Sequence, residues 1–185
     1  MKINFEIIFK RLDEELYKIG QSLELVCAGG YVLQRHGYRT TLDVDAFYKS
    51  DAQINIIIKK VGDEFDINKE DELWLNNSIS NLNPMPPAEY CGIIYKFNNL
   101  TVKEVSITYL TGIKLYSQRE QDLRDVAGIL RQDKNEQPFE LLSKLKDMNF
   151  DIDISLLLEA FEMAYGMNWL ENFYTENAEE LRKYF

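Results

Sequence analysis

The sequence predicts a mixed α/β (α+β) fold, in which a small mixed sheet is flanked by helices and followed by a helical C-terminal cap. Two observations carry this prediction. Up to Ser106, short apolar runs bounded by turn residues alternate with segments whose apolar residues recur at helical spacing. From Tyr109 onward, only helical spacing is present. Hydrophobic residues make up 45% of the 185 residues, so the chain can bury a core without disulfides or a structural metal.

In the first part of the chain, the residue pattern predicts three helices and two strands. In order, the predicted elements are a helix over residues 5–19, a strand over 23–28, a helix over 31–35, a strand over 44–48 and a helix over 53–65. Apolar residues three or four apart define the two longer helices, and Gly20 ends the first of them. The run before Gly29 is apolar except for Glu24, which is typical of a buried strand.

The middle of the chain is less regular. Residues 68–84 give an ambiguous pattern, compatible with a short helix around residues 73–79 that breaks into a loop. Pro84, Pro86 and Pro87 exclude regular structure at the end of this segment. Two strands are predicted next, over residues 92–97 and 100–106. Because asparagine tolerates a positive φ, the Asn98-Asn99 pair between them predicts a tight hairpin.

Helices account for the rest of the chain. Apolar residues recur at helical spacing over residues 109–117, 120–131, 139–146 and 154–167, and a final helical stretch covers 169–184. Pro138 separates the mixed part from the last helices. We therefore expect a core of residues 1–137 and a helical C-terminal extension of residues 138–185.

Charge and hydropathy exclude several classes of partner. A net charge of −10 gives a surface that repels phosphate backbones, so we expect no binding of duplex DNA. No apolar run approaches the roughly 18 to 20 residues that span a bilayer, and the amphipathic first helix is not a signal sequence. We therefore expect a cytoplasmic protein with no membrane partner. Cys27 and Cys91 lie in apolar runs and are expected to be free thiols.

The motif that carries chemistry is a glycine pair, Gly29-Gly30, followed by Asp43 and Asp45. Glycines after a strand let backbone N–H groups approach a phosphate, and the helix that follows points its positive end there. Aspartates at i and i+2 on a strand project from one face, where their oxygens can share one or two Mg²⁺ (or Mn²⁺) ions. An Asp-X-Asp also occurs by chance in many proteins, so the alternative interpretation is a glycine turn with a solvated acidic pair.

More of the sequence supports the first interpretation. The combined motif, GGYVLQRHGYRTTLDVD, resembles the first motif of the nucleotidyltransferase fold. The chain is similar to the small bacterial nucleotidyltransferases related to the AbiEii toxins, and especially to the family DUF6036. The resemblance covers about residues 23–130. The segments that carry it are Arg39-Thr40, Trp74-Leu75-Asn76, Lys114-Leu115, Arg119, and Asp122 with Asp125.

This resemblance implies a role for each site residue. Asp43 and Asp45 would hold the metal; Gly29, Gly30, Arg39 and Thr40 would bind the nucleotide; Lys114 would act on its phosphates, supported by Arg119, Asp122 and Asp125. A third carboxylate is expected on a later strand, and Glu104 is the candidate. The alternatives are a solvated lysine for Lys114, helix capping for Asp122 and Asp125, a surface ion pair for Arg39, and a solvated carboxylate for Glu104. For Trp74, core packing is favoured over stacking on a ligand.

The resemblance implies an enzyme that moves a nucleoside monophosphate from an NTP to a hydroxyl of tRNA or of a protein. It also implies a toxin–antitoxin or phage-defence setting with a cognate antitoxin. A tRNA acceptor would need a local basic patch, which Lys59, Lys60, Lys103 or Lys114 could supply. Two alternatives stay open. The chain could be a catalytically weak or inactive module that binds a nucleotide or a partner, or its helical tail could serve to bind a partner protein. The single histidine, His36, excludes a histidine-rich zinc site.

Overall fold

The computed structural model describes residues 3–70, 72–81, 83–133 and 136–185. The chain divides into two compact units, of which the first ends at Ser106 and the second begins at Ile107. Among the described residues, the strands lie in the first unit and the second unit is helical. The predicted mixed α/β class with C-terminal helices is therefore confirmed.

A five-stranded mixed sheet is the centre of the first unit. The elements of this unit are α1 (Phe5–Ile19), β1 (Leu23–Ala28), α2 (Gly29–Arg35), β2 (Val44–Phe47), α3 (Ala52–Glu64), β3 (Leu75–Asn76), β4 (Cys91–Lys96) and β5 (Leu100–Val105). The strand order is β3-β2-β1-β5-β4. β1 is parallel to β5 and β2 is parallel to β3, whereas β1–β2 and β4–β5 are antiparallel. The predicted hairpin between the last two strands is confirmed.

Helix α1 shows why the sequence pattern predicts helices well. The Glu6 N–H donates to the side-chain oxygen of Asn4, which caps the first turn, and Gly20 ends the helix with a φ of +66°. Between these signals, apolar residues at helical spacing form one buried stripe. The buried apolar residues are Phe5, Ile8, Phe9, Leu12 and Leu16. The predicted helix over residues 5–19 is confirmed.

The segment after α3 differs from the prediction. Instead of a short helix around residues 73–79, Leu75–Asn76 forms the edge strand β3 and Ser78–Asn81 forms a short 3-10 helix. The Val44 N–H donates to the Trp74 carbonyl at 2.7 Å, and the Trp74 indole N–H donates to the Ile58 carbonyl at 2.9 Å. Trp74 is buried, so it is a core residue that fixes this segment against β2. Local periodicity cannot reveal such tertiary pairing.

The second unit consists of helices around one apolar cluster. Its helices are α4 (Ile107–Ser117), α5 (Glu120–Gln132), α6 (Pro138–Asp147), α7 (Ile154–Tyr165), α8 (Met167–Glu176) and α9 (Ala178–Leu181). Leu123 and Leu130 share this cluster with Leu141 and Phe161. The expected boundary between residues 137 and 138 therefore falls inside this unit, since the residues on both sides of it pack together.

Two further expectations concern thiols and membranes. Cys27 is buried, Cys91 is half-buried, and both are free thiols, as predicted. Within the described ranges, none of the helices has the length and apolar character that crossing a bilayer requires.

A buried carboxylate stabilises the first unit. Glu15 of α1 is buried and contacts three cations, Lys18 at 2.7 Å, Lys60 at 2.9 Å and Arg11 at 2.6 Å. The hydrogen bonds from Lys18 and then Lys60 contribute most to lowering the pKa of Glu15 to about 2. Because this folded-state pKa lies below the ordinary value of 4.5, the stabilisation is complete above pH 4.5 and is lost as the pH falls toward 2.

We therefore expect Glu15→Gln to lower the free energy of unfolding by roughly 1–3 kcal/mol at pH 7. Urea denaturation would measure this loss, and the difference from the native chain should shrink as the pH falls below 4.5. Glu14→Gln, at the exposed neighbouring position, is the matched control and should change stability by less than about 0.5 kcal/mol. A loss for Glu15→Gln that does not vary with pH would contradict this account.

Candidate active site

The candidate site lies where β1 runs into α2. Asp45 of β2 is the register partner of Ala28, the last residue of β1. Gly29 begins α2 with a φ of +65°, and a Cβ at this position would lie only 2.4 Å from Oδ2 of Asp45. A side chain at Gly29 would displace the carboxylate, so the close approach of Asp45 requires a glycine here in addition to the positive φ.

The second glycine makes a similar close contact. A Cβ at Gly30 would lie 2.8 Å from Oγ1 of Thr41 and 3.2 Å from Nη2 of Arg39. The Thr41 hydroxyl donates to Oδ1 of Asp43 at 2.6 Å, and the Thr41 N–H donates to Oε1 of Gln34 at 2.8 Å. Thr41 therefore links Asp43 to Gly30, while Asp45 lies directly against Gly29. The structure brings both aspartates to the glycine pair.

Asp43 also faces a cation. Nζ of Lys69 lies 3.7 Å from Oδ2 of Asp43 and 3.1 Å from Oε2 of Glu72. The hydrogen bond to Glu72 and, next, the charge of Asp43 raise the pKa of Lys69 above its ordinary value. The lysine is half-exposed and stays charged at neutral pH, so it can face Asp43 or an incoming anion.

Two predicted nucleotide-binding residues lie on the surface beside these groups. The guanidinium of Arg39 reaches the Gly30 backbone, as its distance to the Cβ position shows. Thr40 is exposed, and its carbonyl accepts a hydrogen bond from Nη1 of Arg39 at 3.4 Å. Arg39 is therefore placed at the glycine pair, and the Thr40 carbonyl contacts the Arg39 guanidinium.

Sequence reasoning did not single out Gln34, Thr41 or Lys69. Two of these residues have a weak feature in the sequence that could have marked them as site residues. Gln34 is the polar residue that ends the apolar run YVLQ of α2, and Thr41 lies inside the motif RTTLDVD. The sequence around Lys69 has no such feature, because Lys69 lies on a loop far from Asp43 in sequence and meets it only in the folded chain.

Glu104 lies away from the two aspartates. It is the register partner of Cys27 in β1, whereas Asp45 is the partner of Ala28. Because successive residues of a strand point to opposite faces, Glu104 and Asp45 lie on opposite faces of the sheet. Glu104 accepts from Nε of Arg35 at 2.9 Å and lies 3.3 Å from Nε2 of His36. The structure does not bring Glu104 together with Asp43 and Asp45.

The second unit contains the other predicted site residues in one network, in which Lys114, Asp122 and Asp125 are buried and Arg119 is exposed. Nζ of Lys114 in α4 donates to Asp122 at 2.6 Å and to Asp125 at 2.7 Å, and both aspartates are on α5. Asp122 also accepts from Nε of Arg119 at 2.7 Å and from the hydroxyl of Ser117 at 2.5 Å. Only 5% of the Lys114 side chain is exposed, so the alternative interpretation of Lys114 as a solvated lysine is wrong.

The network controls the titration of Asp122. Burial raises the pKa of this carboxyl, but the hydrogen bonds from Lys114 and Ser117, with a smaller effect of Arg119, lower it by more. The net pKa lies below the ordinary value, so Asp122 contributes stability that is present above its ordinary pKa and lost in acid. The phosphate-binding role of Lys114 stays a prediction.

The lysines that could form a basic patch are each paired with a carboxylate. The contacts are Lys59–Asp63 at 2.6 Å, Lys60–Glu15 at 2.9 Å, Lys103–Glu24 at 2.8 Å and Lys114 with Asp122 and Asp125. Each positive charge is therefore largely neutralised where it lies.

Comparison with known proteins identifies the family. Residues 4–166 match the family described as nucleotidyltransferase of unknown function (DUF6036). The chain belongs to this family. The match includes the glycine pair with its two aspartates as well as the Lys114 network, and it confirms the family resemblance deduced from the motifs. No curated protein and no solved structure matches the chain.

The donor set at the glycine pair fits one kind of metal. Within the described ranges, no group of three or more histidine, cysteine, aspartate or glutamate side chains is arranged to hold a metal ion. Asp43 and Asp45 supply hard carboxylate oxygens, and the missing side chains of Gly29 and Gly30 let Asp45 and Thr41 approach the backbone closely. Hard oxygen ligands suit Mg²⁺ or Mn²⁺ completed by substrate phosphates and water.

A glycine substitution tests this close approach. We expect Gly29→Ala to lower the free energy of unfolding by roughly 2–4 kcal/mol, because it adds overlap with Asp45 to the strain of a positive φ. Gly20→Ala is the matched control, since Gly20 has a φ of +66° but nothing within 4 Å of its Cβ position. It should lose only about 1–2 kcal/mol. Equal losses in urea denaturation would contradict the close contact.

Proposed function

We propose that this chain is a metal-dependent nucleotidyltransferase that moves a nucleoside monophosphate from an NTP to a hydroxyl acceptor. The observation that carries the proposal is the approach of Asp45 to Gly29, and of Asp43 through Thr41 to Gly30, in a member of a nucleotidyltransferase family. The acceptor oxygen forms a bond to the α-phosphorus, the bond from this phosphorus to the β-phosphate oxygen breaks, and pyrophosphate and a proton are released.

Each residue of the site has a role that suits its chemistry. Asp43 and Asp45 would hold Mg²⁺ or Mn²⁺, which when bound neutralises triphosphate charge and lowers the pKa of an attacking hydroxyl. Thr41 fixes Asp43 by donating to Oδ1, and Lys69 lies on the side of Oδ2. Lys69 can exchange its contact with Asp43 for a phosphate oxygen, since both are anions and the lysine is half-exposed. Arg39, at Gly30, is a second cation for the phosphates.

The charge distribution favours a protein hydroxyl over tRNA as the acceptor. The net charge is −10, and Lys59, Lys60, Lys103 and Lys114 are paired with carboxylates. An RNA acceptor would therefore meet repulsion with little compensation. The toxin–antitoxin or phage-defence setting, and a cognate antitoxin as partner, are proposed from the resemblance to the AbiEii-related proteins alone.

Label transfer tests the proposed reaction. The protein is incubated with each NTP labelled at the α-phosphate, Mn²⁺ or Mg²⁺, and cell extract or total tRNA; parallel samples contain EDTA or γ-labelled NTP. We expect metal-dependent transfer of α-label to material that protease, but not ribonuclease, removes. Ribonuclease-sensitive label would overturn the choice of acceptor, and transfer of γ-label would overturn the reaction type. Tight NTP binding without transfer would favour the binding module instead.

A further inference from the structure

The edge strand β3 places an amide beside the two aspartates. Asn76 is the register partner of Asp45, and β3 is the strand next to β2 on the side away from β1. Register partners in neighbouring strands have side chains on the same face of the sheet. Asp45 therefore lies between Ala28 of β1 and Asn76 of β3, and the residue on its β3 side is uncharged.

Local hydrogen bonds fix the side chain of Asn76. Its Oδ1 accepts from the Ser78 hydroxyl at 2.6 Å and from the Ser78 N–H at 3.2 Å. The side-chain oxygen is thus used within the turn that follows β3. The remaining polar group of the amide is its NH₂, which donates hydrogen bonds and has no lone pair for a cation.

We infer that Asn76 forms the third side of the cation site and limits this site to one divalent ion. The inference rests on the proposed function, because it concerns the metal that Asp43 and Asp45 would hold. The carboxylates supply two negative charges, and Lys69 adds a positive charge 3.7 Å from Asp43. A second divalent ion would need another carboxylate beside Asp45, and within the described ranges the residue paired with Asp45 on its β3 side is an amide. Glu104, on the other face, cannot serve.

The test replaces the amide by a carboxylate of the same shape. Asn76→Asp keeps an oxygen to accept from Ser78 and adds one negative charge beside Asp45. Asn77→Asp adds the same charge one residue further along the chain and is the matched control. Mn²⁺ binding is measured by electron paramagnetic resonance at equimolar protein and a non-hydrolysable NTP analogue, with binding to the free analogue subtracted.

We expect the native chain and Asn77→Asp to bind one Mn²⁺ per complex. Asn76→Asp should bind a second ion, or the first at least about tenfold more tightly, since ligand charge sets affinity for hard cations. Circular dichroism and thermal melting confirm that both variants fold. The inference is overturned if Asn76→Asp binds Mn²⁺ like the native chain, if Asn77→Asp has the same effect, or if the native chain binds two ions.

The failure of the inference and the failure of the proposed function give different results. If the native complex binds one Mn²⁺ and only the effect of Asn76→Asp is missing, the role of Asn76 is wrong and the metal-dependent activity stands. If the native complex binds no Mn²⁺ beyond that of the free analogue, the proposed function fails together with the inference.

Discussion

Asp45→Asn is expected to lower metal-dependent nucleotidyl transfer by about 10²- to 10⁴-fold, because a metal ion that stabilises the reacting phosphate is worth several kcal/mol. Asp45 lies against Gly29, where any side chain would collide with its carboxylate. The amide has almost the same shape, so the space at Gly29 and the pairing of β2 with β1 are preserved. What changes is the charge, and with it the affinity for a hard cation.

The measurement is initial-rate transfer of α-label at several Mn²⁺ concentrations, with NTP binding measured in parallel. Glu89→Gln removes a carboxylate at an exposed position and is the control, which should keep the native rate. High Mn²⁺ should restore part of the rate of Asp45→Asn if the lost function is metal binding. Native activity in Asp45→Asn, with native Mn²⁺ dependence, would contradict the assignment.

Lys114→Met is expected to lower the free energy of unfolding by about 3–5 kcal/mol, because it leaves Asp122 and Asp125 buried without their shared cation. Methionine fills most of the volume of the lysine stem but cannot donate to either carboxylate. Arg119 and Ser117 still contact Asp122, and the Gln121 amide still donates to Asp125 at 3.1 Å, so each carboxylate keeps part of its hydrogen bonding. Urea denaturation at pH 7, followed by far-ultraviolet circular dichroism, measures the loss.

Neutralising the carboxylates provides the critical comparison. The triple variant Lys114→Met with Asp122→Asn and Asp125→Asn should regain at least half of the lost stability, since no unpaired charge remains buried. Lys146→Met, at an exposed position of α6, is the matched control for the lysine change. A triple variant no more stable than Lys114→Met would show that the loss is caused by packing rather than by charge.

The sequence predicted those parts of the fold that depend on local signals. Helix α1 has an asparagine cap, an apolar stripe and a terminal glycine, and each of these acts within a few residues. The edge strand β3 lacked such signals. It forms because Trp74 is buried and because its carbonyl accepts from Val44, a contact between residues remote in the chain. A two-residue strand has no periodicity of its own to detect.

The candidate site likewise has parts that follow from local sequence and parts that depend on strand pairing. The glycine pair and Asp43 with Asp45 could be chosen from residue type and spacing. The distance of 2.4 Å between a Cβ at Gly29 and Oδ2 of Asp45 could not be predicted from the sequence, because it depends on the register between β1 and β2. The register of β1 with β5 also decides the position of Glu104, which strand alternation alone left open. Asn76 was part of a recognisable segment, but only the pairing of β3 with β2 brings it to Asp45.

The position of the bound cation tests the central claim most directly. Crystals soaked with Mn²⁺ and a non-hydrolysable NTP are measured at a wavelength where manganese scatters anomalously. We predict a manganese peak about 2.0–2.5 Å from a carboxylate oxygen of both Asp43 and Asp45, beside the Gly29-Gly30 backbone. A peak that contacts neither aspartate, or two carboxylates that point away from each other and from the glycines, would contradict the account.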